Sequence, residues 1–322
     1  MRSITPHSTF VECLTDCNTT TSKPKGCMCH HAGLVAFQKD PEVRFFAAPG
    51  ERVAQVMSPA FDGSIHEIFS ALSYGAALVL TDGVDPFAHI KRSTASLLTP
   101  SVAKILEPRD FPNLKTLYVV GEPVPQYVND LWSKNVNMYN MYGPTEATCG
   151  ATIQKLSSGR KVTIGPPNPT TRIYILDRNQ QLVPPGVVGE IYCAGVQVAR
   201  GYVGRPELTA EKFLPDTVEK RPGEMMYRTG DRGFFNHNGE VECLGRNDRQ
   251  IKLRGYRTDL NDIEMRVAQG IPECTGVAIC QKDDYLVAMI QPETLDMSDI
   301  RARVMKTVPM HAGKFLLEIY RA

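Results

Sequence analysis

The chain has 322 residues, 42% of them hydrophobic and 22% charged, which is apolar material for a large core and length for two domains. Its 36 Lys and Arg nearly balance 35 Asp and Glu, so no global field favours nucleic acid or an anionic membrane surface. A small molecule or another protein is the expected partner.

The first ten residues mix Arg2, Pro6 and His7 with hydroxyls and lack the apolar run of a secretory signal. No apolar stretch is long enough to span a bilayer. A soluble, cytoplasmic protein is expected, and its nine cysteines read as reduced thiols rather than a disulfide framework. Cys13, Cys17, Cys27, Cys29, His30 and His31 lie close together as possible soft-metal ligands. They form no paired Cys-x-x-Cys knuckles, and Cys27, Cys29 and His31 alternate within Gly26 to Leu34 as a half-buried strand would. A structural role is therefore preferred to zinc.

Further along, Ala76 to Leu80, Leu117 to Val120 and Arg172 to Leu176 are short apolar runs bounded by Gly, Pro or Asp, and they predict buried strands. His66 to Tyr74 and Val124 to Trp132 carry apolar residues at helical spacing. The first half thus predicts an α/β layer structure with a largely parallel sheet. From about residue 164 to 245 Gly and Pro punctuate strand-like segments, predicting a β-rich subdomain. A domain boundary is placed at Asp248, dividing 1–247 from 248–322, with a helix through Ile263 to Ala268.

The most informative string is Asn140-Met141-Tyr142-Gly143-Pro144-Thr145-Glu146-Ala147-Thr148. A Gly-Pro turn there presents an aromatic ring able to stack on a purine, a hydroxyl for a phosphate oxygen and a carboxylate for Mg²⁺. Together with the strings quoted next, it resembles the superfamily of acyl-CoA synthetases, nonribosomal peptide synthetase adenylation domains and luciferases. Phe61 to Phe69, Gly121-Glu122, Gly189-Glu190-Ile191 through Ala199-Arg200-Gly201-Tyr202, Tyr227 to Asp231 and Gly245 to Gly255 look like that family's landmarks, in its order. The resemblance runs from about Thr19 to Leu286 and is nearest to the nonribosomal adenylation domains. It implies a partial large adenylation domain followed by a small α+β C-terminal domain.

The resemblance also implies roles. Thr145, Glu146 and Lys25 would be catalytic, with Glu146 holding Mg²⁺. Thr20, Thr21, Gly121, Glu122, Asn140, Tyr142, Asp231 and Arg246 would bind ATP, Asp231 through the ribose and Arg246 through ribose and phosphates. Asp62 would pair with the α-ammonium of an amino acid, although Asp62 or Ser64 would also serve as a helix N-cap. Gly63, His66, Leu97, Tyr118, Val120, Met141, Cys149 and Gly150 would line the side-chain pocket, and Asp248 would be the hinge. The implied activity is ATP-dependent formation of an aminoacyl-adenylate, then thioester transfer to phosphopantetheine on a carrier protein acting in trans. Alternatives are an acyl- or aryl-CoA ligase, which has no ammonium for Asp62, and a non-catalytic remnant that binds nucleotide or a partner protein.

The family pattern is broken in three places. The phosphate loop Asn18 to Gly26 keeps its hydroxyls and Pro24-Lys25-Gly26, but Thr19 and Ser22 stand where the family has Gly, and a Cβ crowds an approaching phosphate. The sequence starts almost at this loop, so the family's preceding part of the large domain is expected to be missing. It ends at Ala322 without the family's C-terminal Lys, for which Lys314 is a superficial substitute ahead of an expected strand at Leu316 to Ile319.

Overall fold

The structure, a computed structural model, describes residues 12–14, 25–81, 83–253, 256–282, 285–291 and 297–308. Thr20, Thr21, Cys17, Lys314 and the expected strand at 316–319 lie outside these residues. The chain divides into two compact units, one containing Lys25–Asn247 and the other starting at Asp248.

In the first unit β1 (Glu12–Leu14) pairs with β2 (Lys25–Cys27), and α1 follows at His31–Gln38. The alternating Cys27, Cys29 and His31 are therefore not one strand. His30 Nδ1 accepts the Gly33 N–H at 3.0 Å and caps the helix, so the chain turns helical where the alternation would have continued. A six-stranded sheet is built next from β3 (Arg52–Ala54), β4 (Ala77–Val79), β5 (Ala95–Leu98), β6 (Thr116–Val120), β7 (Asn137–Tyr142) and β8 (Thr152–Lys155), in the order β4-β3-β5-β6-β7-β8. Its first five strands are parallel and β8 is antiparallel to β7. The crossovers carry α2 (Asp62–Ser73), α3 (Ala88–Lys91), α4 (Pro100–Ala103) and α5 (Gln126–Trp132).

The strand β5 is buried at all four residues, and β6 and β7 at all but one each, as expected of parallel strands covered on both faces. Alternate side chains feed two cores. Leu97, Tyr118, Tyr139 and Met141 join one with Phe37 and Phe45, while Leu98, Leu117, Val119 and Met138 join the other with Trp132.

A second, antiparallel sheet follows, made of β9 (Thr171–Leu176), β10 (Gly189–Gly195), β11 (Phe213–Pro215), β12 (Met225–Phe235) and β13 (Val241–Arg246), with α6 (Pro206–Lys212) between β10 and β11. The second unit pairs β14 (Gln250–Leu253) with β15 (Tyr256–Asp259), and β16 (Gly276–Lys282) with β17 (Tyr285–Gln291). There α7 (Leu260–Gly270) and α8 (Met297–Thr307) share a core through Ile263, Val267, Ile300 and Val304. Among the described residues no helix is long and apolar enough to cross a membrane.

Candidate active site

The turn between β7 and β8 is buried throughout its chemistry. After Tyr142, Gly143-Pro144 leads into a 3₁₀ turn at Thr145–Ala147, and Thr148 and Cys149 then adopt φ of 51° and 72°. Left-handed backbone at two non-glycine residues must be held by its surroundings. The Gln197 amide, fully buried, lies within hydrogen-bond distance of the carbonyls of Ala147, Thr148 and Gly150 at 2.7–3.1 Å. The Gln197 carbonyl accepts the Thr148 hydroxyl at 2.6 Å. Gln197 was not singled out from the sequence, although it lies inside the landmark running from Gly189 to Tyr202.

Asp62 is the first residue of α2, and the helix is capped by Phe61, with the Ser64 hydroxyl donating to the Phe61 carbonyl at 2.8 Å. Neither Asp62 nor Ser64 is the N-cap, so the Asp62 carboxylate is not committed to that task. The Thr145 hydroxyl and the amides of Cys149 and Gly63 lie near enough to favour its ionised form. Its Oδ2 is buried with no hydrogen-bond partner among the described residues. Burial, reinforced by the neighbouring Glu146 carboxylate, pushes Asp62 up to about 6 against the influence of those three groups. The Cys149 thiol also reaches the Asp62 carbonyl at 3.6 Å.

Glu146, 1% exposed, accepts the Tyr202 hydroxyl on Oε1 at 2.5 Å. The Lys25 ammonium lies 5.6 Å from the centre of the Tyr202 ring, so lysine, tyrosine and carboxylate form one cluster. Cys27 and Cys29 sit behind it with sulfurs 4.0 Å apart; the bond from Cys29, followed by burial, raises the Cys27 thiol far above its ordinary value. Cys27, Cys29, Cys149, Cys193, Cys243, Cys274 and Cys280 are free thiols.

On the other side of the turn, Tyr142 donates to Asp231 Oδ2 at 2.5 Å and Arg246 pairs with Asp231 Oδ1 at 2.9 Å. The last two face each other across β12 and β13.

The proposed pocket positions gather around one core. Leu97, Tyr118, Met141 and Cys149 belong to it and Val120 packs against it. Gly63 and Gly150 abut Leu97 and Met141, and His66 stacks on Phe45 with ring centres 4.3 Å apart. His66 donates to the Val43 carbonyl at 2.8 Å, and burial lowers it to about 4, so it is a neutral wall. Tyr118 bonds the Glu42 carbonyl. The nucleotide candidates are more dispersed: Asn140 spends its amide on the Thr163 carbonyl at 2.7 Å, and Glu122 accepts the amide and hydroxyl of Ser101 at 2.9 and 2.6 Å. Gly121, with φ of 90°, takes the left-handed turn just before Glu122.

Among the described residues no three His, Cys, Asp or Glu side chains are grouped to hold a metal alone. One hard carboxylate beside a hydroxyl, as at Glu146 and Thr145, is a donor set that suits Mg²⁺ carried in with phosphate oxygens rather than a resident ion.

Residues 19–203, more than half of the chain, match the model of the AMP-binding enzyme family. The chain belongs to the AMP-binding enzyme family. Within it, the chain is 59% identical to the nonribosomal peptide synthetase aclP of Aspergillus oryzae over 91% of its own length and 18% of that protein. It is 57% identical to ataP of Aspergillus terreus over 94% and 20%. The chain therefore spans about a fifth of these relatives. Among solved structures, IdnL1 superposes with a TM-score of 0.84 at 24% identity, covering 100% of this chain and 69% of that one. The Vibrio cholerae adenylation domain AlmE, solved with glycyl-adenosine-5'-phosphate, gives 0.79 at 24%, covering 95% and 62%. The chain thus has the adenylation-domain fold of this family, with fungal nonribosomal peptide synthetases as its relatives.

Proposed function

We propose that the chain activates an amino acid with Mg·ATP as the aminoacyl-adenylate, for later transfer to a phosphopantetheine carrier acting in trans. The observation that carries this reading is the buried, unpartnered Oδ2 of Asp62 beside Thr145, Glu146 and Cys149. A buried carboxylate oxygen is costly unless a cation meets it, and an α-ammonium is such a cation, whereas a fatty or aryl acid brings none. AlmE, of the same fold, was solved with an aminoacyl-adenylate.

In the proposed reaction an oxygen of the amino acid's carboxylate bonds to the α-phosphorus of ATP as the bond to the leaving pyrophosphate oxygen breaks. No covalent enzyme intermediate and no proton transfer are required. When bound, Mg²⁺ would supply charge neutralisation at the phosphates. Glu146 would hold it, Thr145, Lys25, Thr20 and Thr21 would bond phosphate oxygens, and Asp231 and Arg246 would fix the nucleoside alongside Tyr142, Asn140, Gly121 and Glu122. Each Asp231 oxygen accepts one bond internally and keeps a lone pair for a ribose hydroxyl. Asp248, where the second unit begins, is the proposed hinge.

Calorimetry of the 322-residue chain with a nonhydrolysable aminoacyl-adenylate analogue tests the reading. Saturable binding is expected, lost in Asp231→Ala. Asp62→Ala should weaken the analogue that carries the α-ammonium and spare its des-amino counterpart. Equal affinity for the two analogues in the unaltered chain would reject the amino-acid reading.

A further inference from the structure

We infer that Tyr202 is a positioning residue for the metal-holding carboxylate, fixing Glu146 through its hydroxyl and tying it to the end of the phosphate loop. The inference rests on the reading above, in which Glu146 holds Mg²⁺.

The segment from Ala199 to Val203 is wedged between two functional stretches. On one side the Ala199 amide donates to the Glu146 carbonyl at 2.8 Å and the Tyr202 hydroxyl to Glu146 Oε1 at 2.5 Å, so backbone and side chain are held together. On the other side the Met28 amide donates to the Gly201 carbonyl at 2.8 Å, Arg200 to Met28 at 2.9 Å and Val203 to Gly26 at 2.8 Å. Tyr202 also pairs with Cys27 as an isolated antiparallel bridge, two residues from Lys25.

The orientation of Tyr202 is fixed from three directions. The Thr209 hydroxyl accepts its amide at 2.9 Å, and the Tyr202 ring meets Phe213 edge-on at 5.4 Å. The Tyr227 hydroxyl is 3.4 Å from that of Tyr202; because the Tyr202 proton goes to Glu146, Tyr227 is the donor of that pair. A carboxylate with one oxygen so held cannot rotate freely, and its other oxygen keeps one direction. Pre-orientation of a ligand by an outer hydrogen bond commonly contributes about tenfold or more in metal affinity.

The test is Mn²⁺ binding, read from the spectrum of the free ion by electron paramagnetic resonance, with the full chain and α,β-methylene-ATP. Tyr202→Phe should weaken Mn²⁺ about tenfold, leave metal-free nucleotide affinity within twofold, and leave the urea midpoint nearly unchanged. Glu146→Gln should weaken Mn²⁺ more, and Tyr227→Phe less. Unchanged Mn²⁺ affinity in Tyr202→Phe, with a clear loss in Glu146→Gln, overturns the inference and leaves the metal reading standing. No loss in Glu146→Gln, or no Mn²⁺ binding by the unaltered chain, overturns both. Equal weakening of nucleotide with and without metal makes Tyr202 merely structural. Should Tyr202→Phe not fold, Tyr227→Phe decides: Mn²⁺ affinity identical to that of the unaltered chain overturns the proposal.

Discussion

The Tyr142 hydroxyl and the Asp231 carboxylate meet at 2.5 Å, joining the end of β7 in the parallel sheet to the middle of β12 in the antiparallel one. Both groups are buried, and Arg246 holds the other carboxylate oxygen. Tyr142→Phe deletes one charge-assisted bond and should cost about 1.5–3 kcal/mol. Asp231→Ala removes the acceptor of both neighbours and should cost about 3 kcal/mol or more. Urea unfolding of the two variants checks the order; a neutral Tyr142→Phe would mean that the bond contributes nothing between the sheets.

In the proposed reading, Asp62 links pH to ligand binding. Its carboxyl is raised from 3.8 to about 6 in the ligand-free chain, and only the ionised form attracts an ammonium. Amino-acid affinity should therefore fall as pH drops through about 6, with a proton released on binding near that pH. The same shift costs stability: a raised carboxyl favours the folded state below 3.8, and that contribution is lost as pH rises through about 6. Asp62→Asn should accordingly stabilise the empty chain at pH 7 by about 1–3 kcal/mol while losing the preference for the α-ammonium. Thermal unfolding with and without analogue reads both effects, and a destabilised Asp62→Asn would contradict the cost assigned to that burial.

His66 and Glu67, adjacent in α2, have opposite pH signatures. Burial lowers His66 from 6.5 to about 4, so the unfolded chain binds the extra proton and stability falls as pH drops from 6.5 toward 4. Burial raises Glu67 from 4.5 to about 8 despite bonds from the Val56 and Met57 amides. Its contribution is complete below 4.5 and is lost as pH rises through about 8. The two oppose each other between 4.5 and 6.5, and a single stability curve hides both. Subtracting the curve of His66→Phe isolates the histidine. That variant keeps a ring on Phe45 but leaves the Val43 carbonyl without its donor, costing about 1–2 kcal/mol at pH 7. Toward pH 4 the difference should shrink or reverse, since the histidine penalty reaches about 3 kcal/mol there. A pH-independent difference would rule out the neutral buried ring.

Local chemistry made much of this molecule legible in advance. The short apolar runs at Leu117 to Val120 and Arg172 to Leu176 fall within β6 and β9, and the ordered landmarks gave the family. The alternation from Cys27 to His31 misled because one side-chain cap, His30 to Gly33, outweighs a three-residue pattern. What spacing does not reveal is distance across folded chain. Cys149 reaches Asp62 over 87 positions, Tyr202 reaches Glu146 over 56, and Gln197 spans about 50 to the Ala147, Thr148 and Gly150 carbonyls. Such contacts depend on sheet register and on left-handed turns at Thr148 and Cys149, neither of which leaves a periodic trace.

The two glycines of the turn between β7 and β8 separate backbone crowding from side-chain crowding. A Cβ on Gly143 would lie 2.5 Å from the Gly150 Cα, 2.7 Å from the Ala151 nitrogen and 2.9 Å from the Cys149 oxygen. Those atoms belong to the strained return of the same turn, which Gln197 and Asn168 pin at the Gly150 carbonyl at 2.7 Å, so it cannot yield without moving Cys149 away from Asp62. A Cβ on Gly150 would instead meet the Met141 sulfur at 2.7 Å and the Phe37 ring at 3.1 Å, and an unbranched thioether can change rotamer. Gly143→Ala should therefore cost about 3 kcal/mol or more and abolish analogue binding, whereas Gly150→Ala should cost about 1–2 kcal/mol and mainly narrow the pocket. Urea unfolding paired with calorimetry distinguishes them. If Gly150→Ala proves the more damaging, Met141 is the rigid element of the pocket and the turn is the compliant one.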